Sequence, residues 1–458
     1  MPCLYQQRAE ASKSLPQLTD VIQNVPDLNT KYTTLQYMGT PGAYASIFEL
    51  KRGDTHFILK RQMLRKKQFS RDYQEILCMN LLQTLMKHNC SPNFVLLHQA
   101  FLTQLYNVPR PLCSERLRNH PIPDTTREEV LFLYSLQERC AMTLEQYLTW
   151  MAHEKTRVPD SVILSMFLQS LSAILSMQWY IPDGGMSHND LYFRNIFLDV
   201  VHENVVFVYH IQNSVYFCRS HGWMLKFGDF GWSTVRAWQS NVHKMGIGKK
   251  RIRGKQYKDW DHVLEYENID VLRRDMLTIA ISWIKYEGLG ILSPRISTYL
   301  RDFVDELRNL DKVTRSRKRV ILTKHTLANF VEQKLHSKSL WHYRLPPFSD
   351  ASYPRSECTH TWKNSDTACK RIERAQKIYD RQFLLFAVAP ISPITSYQLF
   401  HYYPTDSPRK SEEIQEEIAS QVRLLDQNLR SLTNTVAQFP LPSTADLGAC
   451  ELSRPFFV

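Results

Sequence analysis

One segment sets the scale of anything this chain can fold into. Residues 161–180, SVILSMFLQSLSAILSMQWY, read as a strongly apolar helix without a single charged side chain. A helix that is apolar on most sides has to be buried on most sides, so the chain must build a body around it. The 458 residues leave room for two or three domains, at roughly 100–200 residues each. Hydrophobic residues make up 43% and charged residues 22%, which excludes wholesale disorder. No apolar run is expected to reach the roughly 18–20 residues of a membrane span. The longest candidate, Phe383 to Ile394, carries Pro390 and Pro393. The start, MPCLYQQRAEASK, shows no apolar stretch of the secretory type.

Nine cysteines are scattered without a C-x-x-C pair. An odd, unpatterned set argues against a disulfide scaffold and for a reducing, intracellular compartment, cytoplasm or nucleus. Cys358 and His360 lie close together, but no second ligand pair follows at zinc spacing. The net charge is +12, from 57 Lys+Arg against 45 Asp+Glu. Part of it clusters, in KRQMLRKK at 60–67, KKRIRGKQYK at 249–258 and RSRKR at 315–319. Each run reads either as a solvated face or as a surface for an acidic partner, nucleic acid included.

Residues 1–30 form a polar lead-in, and 31–60 alternate as strands with glycine turns. The spacing of Phe69, Tyr73, Ile76, Leu77, Leu81 and Leu85 predicts a helix over 66–88. Two buried strands are expected at 93–102 and 130–136, with a proline- and charge-rich surface insertion at 104–128. Strands dominate after the apolar helix to about 228, and helices from 262 to 345. This order predicts an α+β protein of two lobes joined near 137–143.

Two segments carry the chemistry, Ser187-His188-Asn189-Asp190-Leu191-Tyr192-Phe193-Arg194-Asn195-Ile196 and Leu225-Lys226-Phe227-Gly228-Asp229-Phe230-Gly231. In these H-x-D-x-x-x-x-N and D-F-G patterns, in this order, the chain resembles the protein kinase superfamily from about 31 to 345. The resemblance implies a bilobal fold, with a β-rich N-lobe at 31–137 and a larger helical C-lobe at 138–345. It also implies phosphoryl transfer from ATP, which depends on metal ions, positioned phosphates and an oriented acceptor. Asp190 would accept or orient the acceptor's proton. Asn195 and Asp229 would hold Mg²⁺, a hard cation suited to oxygen ligands. Upstream, Phe57-Ile58-Leu59-Lys60 resembles the family's V-A-I-K strand, so Lys60 would hold phosphates and pair with Glu75, with Asp72 as the rival. The nucleotide loop would comprise Thr40, Gly42, Tyr44, Ala45 and Ile47. The hinge would be Glu138-Arg139-Cys140, its backbone facing adenine.

The chain also departs from the pattern. Asn189 replaces the Arg before the catalytic Asp, and Tyr192 replaces a Lys, while Arg194 keeps a cation near the transferred phosphoryl group. Asn195 and Asp229 stand 34 residues apart, which implies an insertion of about 20 residues against the family spacing. The alternation of VVFVYHIQNSVYF suits an extended hairpin within 200–224. No A-P-E follows, and Asp275, with Asp270 as alternative, would anchor the catalytic loop. These departures resemble those of atypical kinases encoded by large DNA viruses.

The C-terminal extension, 346–458, holds one clear pattern. Ile414, Ile418, Val422, Leu425, Leu429, Leu432 and Val436 make one apolar stripe on a helix over 411–439. The stripe either docks on its own protein or takes a partner. The expected function is an ATP- and Mg²⁺-dependent serine/threonine protein kinase with acidic protein substrates. A small-molecule phosphotransferase of the choline-kinase type and a pseudokinase scaffold are the alternatives.

Overall fold

The computed structural model describes residues 34–37, 45–63, 69–104, 131–182, 185–203, 205–212, 214–235, 271–310, 323–335, 360–361, 398–405, 412–421 and 423. The protein is a mixed α+β molecule with several small, mainly antiparallel sheets. Among the described residues, 34–83, 95–139 and 421–423 fall in one compact unit, and 84–94 and 140–420 in the other.

The β-rich unit centres on a five-stranded antiparallel sheet. Its strands are β1 (Thr34–Tyr37), β2 (Ala45–Arg52), β3 (Thr55–Met63), β4 (Leu97–Gln104) and β5 (Leu131–Glu138), in spatial order β1-β2-β3-β5-β4. Phe48, Leu50 and Leu59 are buried, in keeping with the two-residue period of a half-covered sheet. Gly53 closes the β2–β3 hairpin at φ 57°, a left-handed turn position that suits glycine. Helix α1 (Phe69–Lys87) follows β3 and buries Ile76, Leu77, Leu81 and Leu82.

The second unit is built around the apolar segment. Helix α2 (Leu144–His153) opens with a capping box between Thr143 and Gln146. Helix α3 (Asp160–Tyr180) is buried along almost its whole length. It is long and apolar enough to cross a membrane, which corrects the expectation that no segment reaches that length. However, 89% of its apolar window is enclosed by protein. Several of its polar residues bond internally, as where Ser165 Oγ donates to Arg219 O at 2.6 Å.

Strand β6 (Met142–Thr143) precedes α2, and β7 (Met186–Ser187), β8 (Ile196–Val200), β9 (Val205–Ile211), β10 (Ser214–Arg219), β11 (Trp223–Phe227) and β12 (Thr234–Val235) follow α3, with β7, β10 and β11 packed against it. Between β7 and β8 lies the loop of the first motif; Asp229 follows β11. The segment expected to extend as a hairpin does so, as β9 and β10 paired antiparallel. A strand from far along the chain, β14 (Gln398–Tyr402), joins β9 in parallel, and β13 (His360–Thr361) pairs with β14. The hairpin is therefore a buried sheet rather than a surface arm. Gly185, at φ 83°, brings the chain against α3 so closely that a Cβ would sit 2.8 Å from Gln178 Cα.

Helices α4 (Val271–Lys285), α5 (Pro294–Asn309) and α6 (Lys324–Leu335) complete this unit. Ser293 caps α5 ahead of a proline at its first turn, and Arg273 donates to the carbonyls of Leu307 and Arg308 at its end. Cys78, Cys90 and Cys218 are buried and free. Beyond Gln104, the insertion expected at 104–128 lies outside the described residues, as do the basic runs at 249–258 and 315–319. So does most of the 411–439 stripe. Its described part, 412–421, is helical, and Ile414 and Ile418 are buried against their own protein rather than offered to a partner.

Candidate active site

Lys60 lies on β3 with both neighbours paired across the sheet, opposite Ile47 on β2 and Ser135 on β5. Its ammonium donates to both carboxylate oxygens of Glu75, at 2.7 and 2.8 Å. Glu75, on α1, is fully buried, and Gln62 Nε2 donates to it as well, at 3.3 Å. The pairing expected from spacing is present, with Glu75 as the partner; the Asp72 side chain lies outside the described residues. A buried charge pair with hydrogen bonds on both partners is a constrained arrangement, and one partner removed leaves the other stranded.

In the second unit, the loop carrying Asp190 is held from three sides. The Asp275 carboxylate on α4 accepts from the backbone N–H of His188 at 2.7 Å and of Asn189 at 2.9 Å. Burial pushes the Asp275 carboxyl up, against the opposing pull of His188, those two amides and Arg274. His188 is buried between the two motifs. Its Nδ1 accepts from the Asp190 N–H at 3.3 Å, so its Nε2–H is the donor to Gly228 O at 2.9 Å. The imidazole also packs on Phe230, with ring centroids 4.8 Å apart.

Asn195 Nδ2 donates to Asp190 O at 2.7 Å and to Asp190 Oδ2 at 2.8 Å. With the amide nitrogen so engaged, Oδ1 is the atom that suits a cation. Arg194 reaches back to Asp190 Oδ1 at 3.2 Å and lies 5.0 Å from the Tyr192 ring centre. Its side chain is 58% exposed. The Asp190 carboxylate is thus aimed by an amide and a guanidinium. Two non-glycine residues stand at left-handed backbone angles beside it, Asn189 at φ 66° and Asp229 at φ 60°. Such angles persist where surroundings impose them, and they cluster at functional sites. Asn189 Nδ2 donates to Trp232 O and Thr234 Oγ1, which fixes its own turn and the segment after Asp229 together.

No protein-family model matches the chain, and no curated protein matches it.

Other expected residues fall differently. Ala45 and Ile47 lie on β2 and are partly exposed, whereas Thr40, Gly42 and Tyr44 lie outside the described residues. The backbone N–H of Glu138 is engaged within its own sheet, where it donates to Leu96 O at 2.9 Å. Glu138 Oε1 accepts from the Leu96 N–H at 2.6 Å. The residue braces the ends of β4 and β5. Cys140 is partly exposed.

Among the described residues no group of three or more His, Cys, Asp or Glu stands together as a metal cluster. One carboxylate and one amide oxygen still fit Mg²⁺, which keeps most of its shell as water and phosphate oxygen. Two residues carry weight that sequence reasoning missed. Lys226, three residues before Asp229, is buried and pairs with Asp199 at 2.5 Å. Asn93 is buried where a strand was expected, and its side chain donates to Leu225 O at 2.7 Å.

Proposed function

We propose that this chain is an ATP- and Mg²⁺-dependent protein kinase of the serine/threonine type, with a bilobal kinase-like architecture and acidic protein substrates. One observation carries the reading. His188 ties the loop of Asp190 and Asn195 to the carbonyl of Gly228, immediately before Asp229. Two motifs 34 residues apart thereby share one rigid support, as phosphoryl transfer requires of its acceptor-orienting and metal-holding groups. The buried Lys60–Glu75 pair adds to it. A scaffold protein has no need of a charge pair so costly to bury.

Bound with Mg²⁺, ATP supplies the γ-phosphoryl group, and ADP leaves with the electron pair of the broken P–O bond. Asp190 takes or orients the proton of the attacking hydroxyl. Asn195 Oδ1 and the Asp229 carboxylate would hold Mg²⁺, which would neutralise charge on the phosphate oxygens. Lys60, oriented by Glu75, holds the phosphates. Arg194 leaves Asp190 to meet negative charge on the transferred group, a movement its exposure permits.

The test is transfer of labelled γ-phosphate to casein, an acidic acceptor, by the wild-type chain and by Asp190→Asn. Transfer that falls about 10²–10⁴-fold in the variant is the expected result, the usual scale for a general base. Equal transfer by both proteins would overturn the assignment of Asp190. ATP binding without transfer to any protein acceptor would favour a small-molecule acceptor.

A further inference from the structure

Asn93 lies in a buried turn between α1 and β4, and every polar atom of its side chain is spoken for. Its Nδ2 donates to Leu225 O at 2.7 Å and to Gln169 Oε1 at 3.2 Å. Its Oδ1 accepts from Ser91 Oγ at 3.1 Å and from the hydroxyl of Tyr209 at 3.0 Å. An asparagine amide has two donors and two acceptor lone pairs, so all four valences are filled. Its backbone carbonyl accepts from the Phe227 N–H at 2.8 Å, and Phe94 and Phe227 form a parallel bridge. Asn93 therefore grips β11 at both Leu225 and Phe227, directly before Asp229.

Of the donors to Asn93, Tyr209 comes from the hairpin that separates the two motifs. The phenol is fully buried on β9, and β14 flanks it, with Tyr402 opposite Tyr209 in register. That register is pinned several times. His210 Nε2 and His401 Nδ1 lie 3.1 Å apart, and His210 stacks on Tyr403 at 4.4 Å. Thr405 Oγ1 accepts from the Gln212 N–H at 2.6 Å, at the hairpin's end. The Tyr180 hydroxyl donates to the carbonyls of Tyr403 and Thr405. The Tyr403 N–H donates to Asn89 O, four residues before Asn93. Burial, with Cys218 and Tyr402 adding to it, pushes the Tyr209 phenol well up, against its bond to Asn93. The hydroxyl remains a donor throughout the working range of pH.

We propose that Tyr209 is a positioning residue for the Asp229 carboxylate, acting through the side chain of Asn93, and that the C-terminal strand β14 holds Tyr209 in register. The role given to Asp229 rests on the kinase reading above. The physical link does not. Without the phenol hydroxyl, one lone pair of a buried amide is left empty. The turn then gains freedom to rotate, and with it the strand that ends at Asp229.

Tyr209→Phe keeps the ring and removes only the hydroxyl. The experiment compares the full-length chain and this variant by amide hydrogen exchange over 224–229 and by the Mg²⁺ dependence of transfer to casein. Exchange is expected to speed up about three- to tenfold, the span of one lost buried hydrogen bond. The Mg²⁺ concentration for half-maximal transfer should rise by a similar factor, with KM for casein unchanged. A lowered kcat with an unaltered Mg²⁺ requirement would mark a merely structural role and overturn the proposal. Unchanged exchange would overturn it independently of activity. If the wild-type chain transfers nothing, the kinase reading falls, and the exchange comparison still decides whether Tyr209 holds this strand. Thr405→Val, which removes the acceptor at the hairpin's end, gives the same two readouts with smaller shifts should Tyr209→Phe fail to fold.

Discussion

Lys60 and Glu75 are opposite charges in a dry place, and their contribution to stability differs from their contribution to chemistry. Glu75→Ala strands a buried ammonium and should cost about 3–5 kcal/mol of folding stability, measured by denaturant midpoint. The paired replacement Lys60→Met with Glu75→Leu fills the same volume with apolar atoms and should recover most of that loss. Transfer activity should be absent in both. A double variant that is stable and still active would show the pair to be structural only. At this scale the sequence was readable in contacts: Lys60 pairs with Glu75, and Asp275 anchors the backbone of His188 and Asn189, as the resemblance implies. Asn93 was not readable, because its partners lie 132 and 116 residues away and its local context, NFVLLHQAFL, is that of a strand.

Elements were legible in proportion to how far their own pattern sets them. The apolar helix α3, the helix at 69–87 and the β9–β10 hairpin all follow from periodicity. The docking of the helix at 412–421 does not, since one stripe serves an internal contact or a partner equally well. In the structure Glu417 on this helix meets Lys87 at 2.8 Å and His88 at 2.5 Å, just past the end of α1. Burial alone raises the Glu417 carboxyl, but hydrogen bonds from Lys87 and His88 and their charge outweigh it, so its pKa lies below the ordinary value. A lowered carboxylate contributes stability in full above its unfolded pKa and loses it as pH falls through the folded one. The thermal midpoint of wild type should therefore exceed that of Glu417→Gln near neutrality, and the two should converge as pH drops below about 4. The pair is largely solvent-facing, so the gap is modest. A gap that stays constant across this range would refute the assignment.

For the whole molecule, the order of strands and helices predicts two bodies, and the chain does form two compact units, but it crosses between them at 83–84, 94–95 and 420–421 as well as at 139–140, so no single junction divides them. The extension at 346–458 offered no such guide. Its five-residue strand QLFHY is too short to announce itself, and its parallel partner is set only by the tertiary fold. Removing the chain from 398 onward should uncover β9 and abolish cooperative unfolding of the second unit, followed by circular dichroism. A truncated chain that melts as sharply as the full one would show the strand to be dispensable. The same pairing orders events in time. His210 and His401 are 191 residues apart in sequence. At about 5–20 residues per second on the ribosome, the hairpin waits on the order of ten seconds or more for the strand that covers it. During that wait β9 presents an unpaired, mainly apolar edge, the kind of surface on which nascent chains aggregate. Closing so long a loop is also slow in refolding. The arrival of β14 is therefore a late step in making this protein, and the yield of native chain should depend on chaperones that shield β9 until then.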